Sequence, residues 1–286
     1  NLMATSTTHI PSLSSLGVLD KLIGFPNPDF ISSPEARKHI EKGNITDLGQ
    51  NENISVEKVI DLNPDLFIAF TLDAIDPKIK TIEKAGIPVI YNSDWTETTA
   101  LGKAEWIKFF GVLLGKHEES VKLFEEVERE YNKVKDLAKQ ATDKPKVFNG
   151  AMYRDIWYVS EGDSWAAKLI EDAQGHYVFK DSKGTGSAAL GLEKMIETAL
   201  DTEIWLDPSS FVSVEELADA NKAYTEFTAY KNKEVYSYSV KKGKTGGVVY
   251  FELGPNRPDL ILKDIVKILH PDLLPNHELY FYTKLN

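Results

Sequence analysis

Residues 118–141, EESVKLFEEVEREYNKVKDLAKQA, form the longest uninterrupted helical pattern in the sequence. Val121, Phe124, Val127, Tyr131, Val134, Ala138 and Ala141 recur in steps of three and four, laying one narrow apolar stripe along a charged helix. The stretch contains neither glycine nor proline. At about 1.5 Å per residue the helix reaches roughly 35 Å, enough to pass from one small domain to another. Periodicity alone fits a surface helix of a single domain equally well, so the flanking sequence must decide.

On both sides short apolar strands alternate with helices, the pattern of a parallel sheet covered on two faces. Before the long helix, ATSTTHI leads into SLSSLGVLDKLIG as a strand-to-helix junction, and PEARKHIEKG reads as a short helix. SVEKVIDLNPDLFIAF joins a helix capped at Ser55 to the buried strand LFIAF, with Asn63 and Pro64 as the stop. A helix from Pro77 to Ala85 precedes the strand GIPVIYN, and ALGKAEWIKFFGVLLG reads as one amphipathic helix ending at Gly115. Beyond Pro145 the alternation resumes: strands KVFNGAMY, IWYVS, EIWLD and EVYSYS are interleaved with helices SWAAKLIEDA, LGLEKMIETAL and VEELADANKAYTEF. A last helix, RPDLILKDIVKILH, is stopped by Pro271. EKVIDLNPDLFIAF, residues 57–70, aligns without gaps on EKMIETALDTEIWL, residues 193–206, sharing Glu, Lys, Ile, Asp and Ile. Two halves of like design on either side of the helix make it a bridge.

Composition narrows the function classes. The 286 residues are 42% hydrophobic, ample for a sizeable core in two compact domains. A net charge of −11 argues against a general nucleic-acid or anionic-membrane binder, which needs a positive face. The absence of cysteine removes disulfides, thiolate metal sites and cysteine nucleophiles. No run of eighteen apolar residues is present to span a membrane. The opening NLMATSTTHIPSL has no basic segment, apolar run or cleavage site, so an export signal is expected to lie outside this sequence.

In order and spacing, STTHIPSLSSLGVLDKLIGF, SVEKVIDLNPDLFIAF with AGIPVIYN, TALGKAEWIKFFGVLLGK, LIEDAQGHYVF, TGSAALGLEKMIETALDTEIWLDP and RPDLILKDIVKILHPDLL resemble the substrate-binding proteins of ABC importers for iron siderophores, haem or vitamin B12. The resemblance implies an α/β fold of two doubly wound lobes joined by one long helix, with a ligand cleft between the lobes. It implies an N-terminal lobe over residues 1–116, the bridging helix over 117–142, and a C-terminal lobe over 143–286, whose last helix could pack back toward the N-terminal lobe. It further implies a monomer outside the cytoplasm, periplasmic or at the cell surface. That protein would capture a ferric siderophore, haem or cobalamin for a membrane permease dimer, with lipid anchoring left open. It implies neither an enzyme nor a bound cofactor.

Ligands of doubly wound lobes bind at the carboxyl ends of the strands, so the loops there supply the candidates. Arginine is scarce: Arg37, Arg129, Arg154 and Arg257. Arg154 in AMYRDIWY and Arg257 in FELGPNRPD stand where a guanidinium beside aromatic rings suits a carboxylate-bearing chelate, although Arg257 could instead pair with Asp259. Trp95, Tyr153, Trp157, Tyr158, Trp165, Tyr238 and Tyr250 offer faces for a large flat ligand, Trp95, Tyr153 and Trp157 foremost. Thr8 and His9 belong to the first strand-to-helix junction; His9 could ligate iron or cobalt in a chelate, but hydrogen bonding is its simpler role. The resemblance also implies acidic residues that meet permease arginines, for which Asp76 and Glu215 or Glu216 occupy comparable helix starts; an acid there also offsets the helix dipole.

Two rivals stand beside this reading. KGTGSAA, residues 183–189, contains G-x-G-x-x-A, with Asp207 about twenty residues on, as in a dinucleotide-binding enzyme. A direct zinc or manganese binder would need converging histidines and carboxylates, whereas His9, His39, His117, His176, His270 and His277 are scattered. No G-x-S-x-G elbow supports a hydrolase.

Overall fold

The computed structural model describes residues 1–70 and 76–286. The chain divides into two compact units: Asn1–Glu97, Lys103–Glu125 and Lys242–Asn256 form the first, and Thr98–Gly102, Glu126–Lys241 and Arg257–Asn286 the second.

Unit 1 begins with β1 (Leu2–Ala4), α1 (His9–Ser15), β2 (Leu22–Phe25), α2 (Pro34–Glu41) and β3 (Thr46–Asp47). A small hairpin, β4 (Gly49–Gln50) and β5 (Asn53–Ile54), leads to α3 (Val56–Leu62), β6 (Leu66–Phe70), α4 (Pro77–Lys84) and β7 (Val89–Asn92). Its sheet runs β3-β2-β1-β6-β7, parallel throughout. Met3, Phe67 and Ala69 are buried on it together with Val59, Ile79 and Ile82 of the flanking helices. Burial on both faces is why these strands read as continuous apolar runs rather than alternating ones. β2 falls within SLSSLGVLDKLIG, expected as helix: Gly17, at φ 66, ends α1, and LIGF pairs beside β1. The helix expected over ALGKAEWIKFFGVLLG is two, α5 (Ala100–Glu105) and α6 (Ile107–Leu113), parted at Trp106.

α7 (His117–Ala138) is the long helix, and the division between the units falls within it, after Glu125. Its 22 residues put acids in the first turn and Lys135 in the last, both favourable to the helix dipole. The apolar stripe is buried at Phe124, Tyr131, Val134 and Ala138. In unit 1 it lies close to α6: a Cβ on Gly111 would fall 2.0 Å from the Ser120 hydroxyl, so that contact needs glycine. In unit 2 the Tyr131 hydroxyl donates to Asp172 at 2.6 Å and Lys135 pairs with the same carboxylate at 2.8 Å. Ala141 lies past the helix because the final turn tightens, with Ala141 N–H bonding to the Ala138 carbonyl.

Unit 2 continues with β8 (Lys146–Asn149), β9 (Ala151–Tyr153), β10 (Ile156–Ser160), α8 (Trp165–Asp172), β11 (His176–Tyr177), β12 (Ser187–Leu190), α9 (Leu192–Ala199), β13 (Ile204–Leu206), α10 (Val214–Ala220), α11 (Thr228–Lys231) and β14 (Val235–Ser237). The chain then contributes α12 (Val249–Leu253) to unit 1 and closes with α13 (Pro258–Leu269) and β15 (Thr283–Lys284) in unit 2. α13 packs on α8, its neighbour in the same unit. The main sheet runs β11-β8-β13-β14-β15, parallel except for β15, and β12-β10-β9 form a separate antiparallel sheet. Removing the edge strands β3 and β15 leaves β2-β1-β6-β7 and β11-β8-β13-β14, the same order of visits in each unit. The aligned segments 57–70 and 193–206 fall on the matched pairs α3–β6 and α9–β13.

Candidate functional site

In unit 1 the carboxyl ends of β1, β6 and β7 lead into residues 5–8, 71–75 and 93–98, and the middle loop lies outside the described residues. The Thr5 hydroxyl accepts from Phe70 N–H at 2.8 Å, fastening the end of β1 to that of β6. The Thr8 hydroxyl donates to Asp94 Oδ2 at 2.8 Å, and Asp94 N–H donates to Asn92 Oδ1 at 2.9 Å, fastening the first loop to the third. Lys103 Nζ donates to the Asp94 carbonyl at 3.1 Å. Burial raises the Asp94 carboxyl above its usual range, against the lowering effects of the Thr8 hydroxyl and Lys103, and lowers Lys103. Trp95, next in the chain, is 42% exposed.

His9 differs from the expectation. Its ring is fully buried, tilted against Phe110 at 5.4 Å between centroids, and burial depresses its pKa to about 3, with Asn92 opposing only weakly. Enclosed in this way, with neither ring nitrogen hydrogen-bonded among the described residues, the histidine belongs to the packing beneath the loop.

In unit 2 the corresponding ends are those of β8, β13 and β14. Gly150, at φ 81, turns the chain sharply after β8; a Cβ there would fall 1.8 Å from the Tyr158 carbonyl oxygen. KVFNGAMY, expected as one strand, is therefore broken into β8 and β9. Strand alternation then sorts the β9–β10 hairpin. Trp157 points inward with no exposed surface, stacked among Phe148, Trp205, Tyr224 and Phe227, its indole N–H on the Asn149 carbonyl at 3.2 Å. It is a core residue, contrary to its assignment as a ligand contact. Tyr153, Ile156 and Tyr158 face outward, 66%, 42% and 41% exposed, with Tyr158 opposite the small side chains of Ala151 and Ala189. Ile156 was not assigned, although the alternation of IWYVS marks it, with Tyr158, as the face opposite Trp157. Arg154 occupies the hairpin turn at φ 55, exposed, its guanidinium 5.3 Å from the Tyr153 ring centre.

Arg257 has its fork filled: Nε and Nη2 donate to the two oxygens of buried Asp259 at 2.8 and 2.7 Å, the intrachain pair already weighed for it. Tyr238 and Asp207 lie together beyond β14 and β13, with Tyr282 donating to Asp207 Oδ2 at 3.2 Å. Burial pushes the Asp207 carboxyl up to about 8, and its Oδ1 is enclosed without a partner among the described residues. Trp165 is half-buried as the first residue of α8. Thus Thr8 and Trp95 gather at one edge of unit 1, and Tyr153 and Arg154 in the hairpin of unit 2, while His9, Trp157 and Arg257 are occupied internally.

The acids assigned to docking start matched helices, α4 after β6 and α10 after β13. Asp76 caps α4 by accepting from Lys78 N–H at 2.8 Å. Glu216 ties down the start of α10: its N–H donates to Ser213 Oγ, the N-cap, and its carboxylate accepts from Val212 N–H, one residue before the cap, at 2.9 Å. Glu215 is exposed beside it.

The glycine loop is not a phosphate cradle. Gly186 N–H donates to Glu161 Oε2 at 2.9 Å and Gly184 N–H to Asp163 Oδ2 at 3.1 Å, so the amides meant for a pyrophosphate face carboxylates. The chain then enters strand β12 rather than a helix. Among the described residues no three His, Asp or Glu side chains converge to hold a metal ion. Two depressions lie at the opposite, amino ends of the strands, one beside Leu2, Asp65 and Leu66 and one beside Pro145, Glu203 and Ile204.

Residues 2–240 match the family model described as periplasmic binding protein. The chain belongs to that family. An uncharacterized lipoprotein of Methanocaldococcus jannaschii is 31% identical over 255 residues, 88% of this chain and 59% of the relative, so this binding protein spans under two thirds of that relative's length. A periplasmic heme binding protein from Pseudomonas aeruginosa superposes with a TM-score of 0.72 at 16% identity, over 95% of this chain and 93% of that one. An ABC-type Fe3+-hydroxamate transport system from Saccharomonospora viridis superposes with a TM-score of 0.68 at 16% identity, over 94% and 92%. At such identities the superpositions show the fold alone: the periplasmic binding protein made of two α/β units joined by a long helix. No described helix is long and apolar enough to cross a membrane.

Proposed function

We propose that this periplasmic binding protein captures a metal chelate, a ferric siderophore, haem or cobalamin, and delivers it to an ABC importer outside the cytoplasm, as a monomer. The observation that carries the reading is the presence of two parallel-sheet units of the same strand order, joined by α7, with exposed aromatic side chains in the segments that follow β7 and β8. Trp95 in unit 1 and Tyr153 and Tyr158 in unit 2 supply flat faces, and Arg154, with which no carboxylate pairs among the described residues, supplies a cationic fork for a ligand carboxylate. Asp76 and Glu215 or Glu216, on matched helix starts, are the acids assigned to the permease. Lipid anchoring is supported by the lipoprotein name of the Methanocaldococcus relative.

Titrating the purified protein with a ferric trihydroxamate, haemin and cyanocobalamin while following tryptophan fluorescence tests the reading. One of the three should saturate the signal. No uptake of any of the three would sink it, and tight NAD or zinc binding instead would install one of the two rivals. Trp95→Ala and Tyr153→Ala should each weaken capture of the responding ligand about 3- to 10-fold, the value of one aromatic contact, with the unfolding midpoint unchanged. Arg154→Ala should weaken capture similarly if the ligand carries a carboxylate. Unchanged affinity in all three variants would remove them from the site.

A further inference from the structure

Residues 242–256 return to unit 1 after unit 2 has been largely built, and their seating there is close. Gly247 lies where a Cβ would sit 2.1 Å from the Phe30 carbonyl oxygen, and Gly243 where one would sit 2.6 Å from Ser32 Cα. Glu252, buried in α12, accepts from Ser32 N–H at 2.6 Å and Ser33 N–H at 2.9 Å. These contacts anchor the segment. At its last residue, Asn256, the contact changes character. Asn256 Nδ2 donates to the Thr8 carbonyl at 3.0 Å, and its Oδ1 accepts from the Ser12 hydroxyl at 2.8 Å. Both ends of one amide are thus spent across the start of α1. Thr8 in turn holds Asp94 through its hydroxyl.

We infer that Asn256 is a positioning residue for capture: it sets the backbone at Thr8, and through the Thr8–Asp94 bond it fixes the two strand-end loops of unit 1 relative to each other. The inference deepens the proposed function and rests on it for the statement that these loops meet ligand. The glycines and Glu252 account for attachment of the segment, which leaves the bidentate amide with a local task. Asn256 carries it from the far end of the chain, 248 positions beyond Thr8.

Asn256→Asp separates the two bonds, because a carboxylate still accepts from Ser12 but cannot donate to the Thr8 carbonyl. Amide hydrogen exchange of the unliganded protein reads the geometry directly. Exchange at His9 and Ile10, whose N–H groups bond to the Ser6 and Thr7 carbonyls, and across residues 93–97 should rise about fivefold or more, the worth of one neutral hydrogen bond, while β1, β6 and β7 stay unchanged. Asn256→Ala should do the same, and Ser12→Ala should do less. The chelate that the wild type holds should dissociate about fivefold faster from Asn256→Asp. Unchanged exchange in these loops would overturn the inference, as would a rise spread over all of unit 1, or faster loop exchange with unaltered dissociation. If the wild type takes up none of the three chelates, the proposed function falls, and the inference that Asn256 serves capture falls with it; loop exchange would then report a structural tie only.

Discussion

Trp157→Ala should cost about 3–5 kcal/mol of stability, lowering the thermal midpoint by roughly 6–15 °C. The indole is wholly enclosed among four aromatic rings, so its removal leaves a large cavity and takes away the N–H that donates to the Asn149 carbonyl. Relaxation cannot fill the space cheaply, because Phe148, Trp205 and Phe227 are themselves fully buried and mutually packed. Denaturant unfolding followed by circular dichroism measures the loss. A variant of full stability with weakened chelate binding would instead restore Trp157 to the ligand face and overturn the division of the hairpin described above. Tyr158→Ala, one residue along on the outer side, should leave the midpoint within about 2 °C.

The second large effect is one of pH. An unfolded histidine takes up a proton near pH 6.5, whereas burial holds off protonation of folded His9 until about pH 3. Between those values the unfolded chain binds more protons at this position, so falling pH favours unfolding there by up to about 1.4 kcal/mol per pH unit. Glu252, raised by burial to about 7, and Asp207, raised to about 8, slope the other way: their folded forms keep protons that unfolded carboxylates release, so stability falls as pH rises from their unfolded values through those points. The His9 contribution is isolated by His9→Gln. The stability difference between wild type and variant should be constant above pH 7 and shift in the variant's favour as pH drops from 6.5 to 4, by about 2–4 kcal/mol in total. A difference independent of pH would mean that the ring titrates normally and is open to water.

Much of the architecture was legible because its signals are local. Period, caps and stops located α7, α3 and β6, and the short self-similarity at 57–70 and 193–206 fell on equivalent pieces of two like sheets. What the sequence withheld depended on partners distant along the chain. LIGF looked helical until β1 was available to pair with it, and SAAL gained its strand identity from β10. The site divides in the same way. Thr8 and Trp95 follow strands, and that place alone made them candidates. Trp157 and Tyr158 are neighbours of similar chemistry, and only the direction of the pleat separates them. Arg257 was neutralised by a carboxylate two residues away, a pairing that the sequence permits and burial of Asp259 enforces. Asn256 carried no signal, since nothing in GPNRP indicates a contact with the first strand-to-helix loop.

The return of residues 242–256 to unit 1 has a consequence for the order in which the protein can be made. The residues that seat against Phe30, Ser32 and Thr8 follow β14 in the chain, so unit 1, begun before unit 2, is completed only after most of unit 2 has been made. Unit 2 waits still longer for β15, whose Thr283 and Lys284 pair with β14. Each unit therefore draws on a segment that follows α11 in the chain, so neither is assembled in simple chain order.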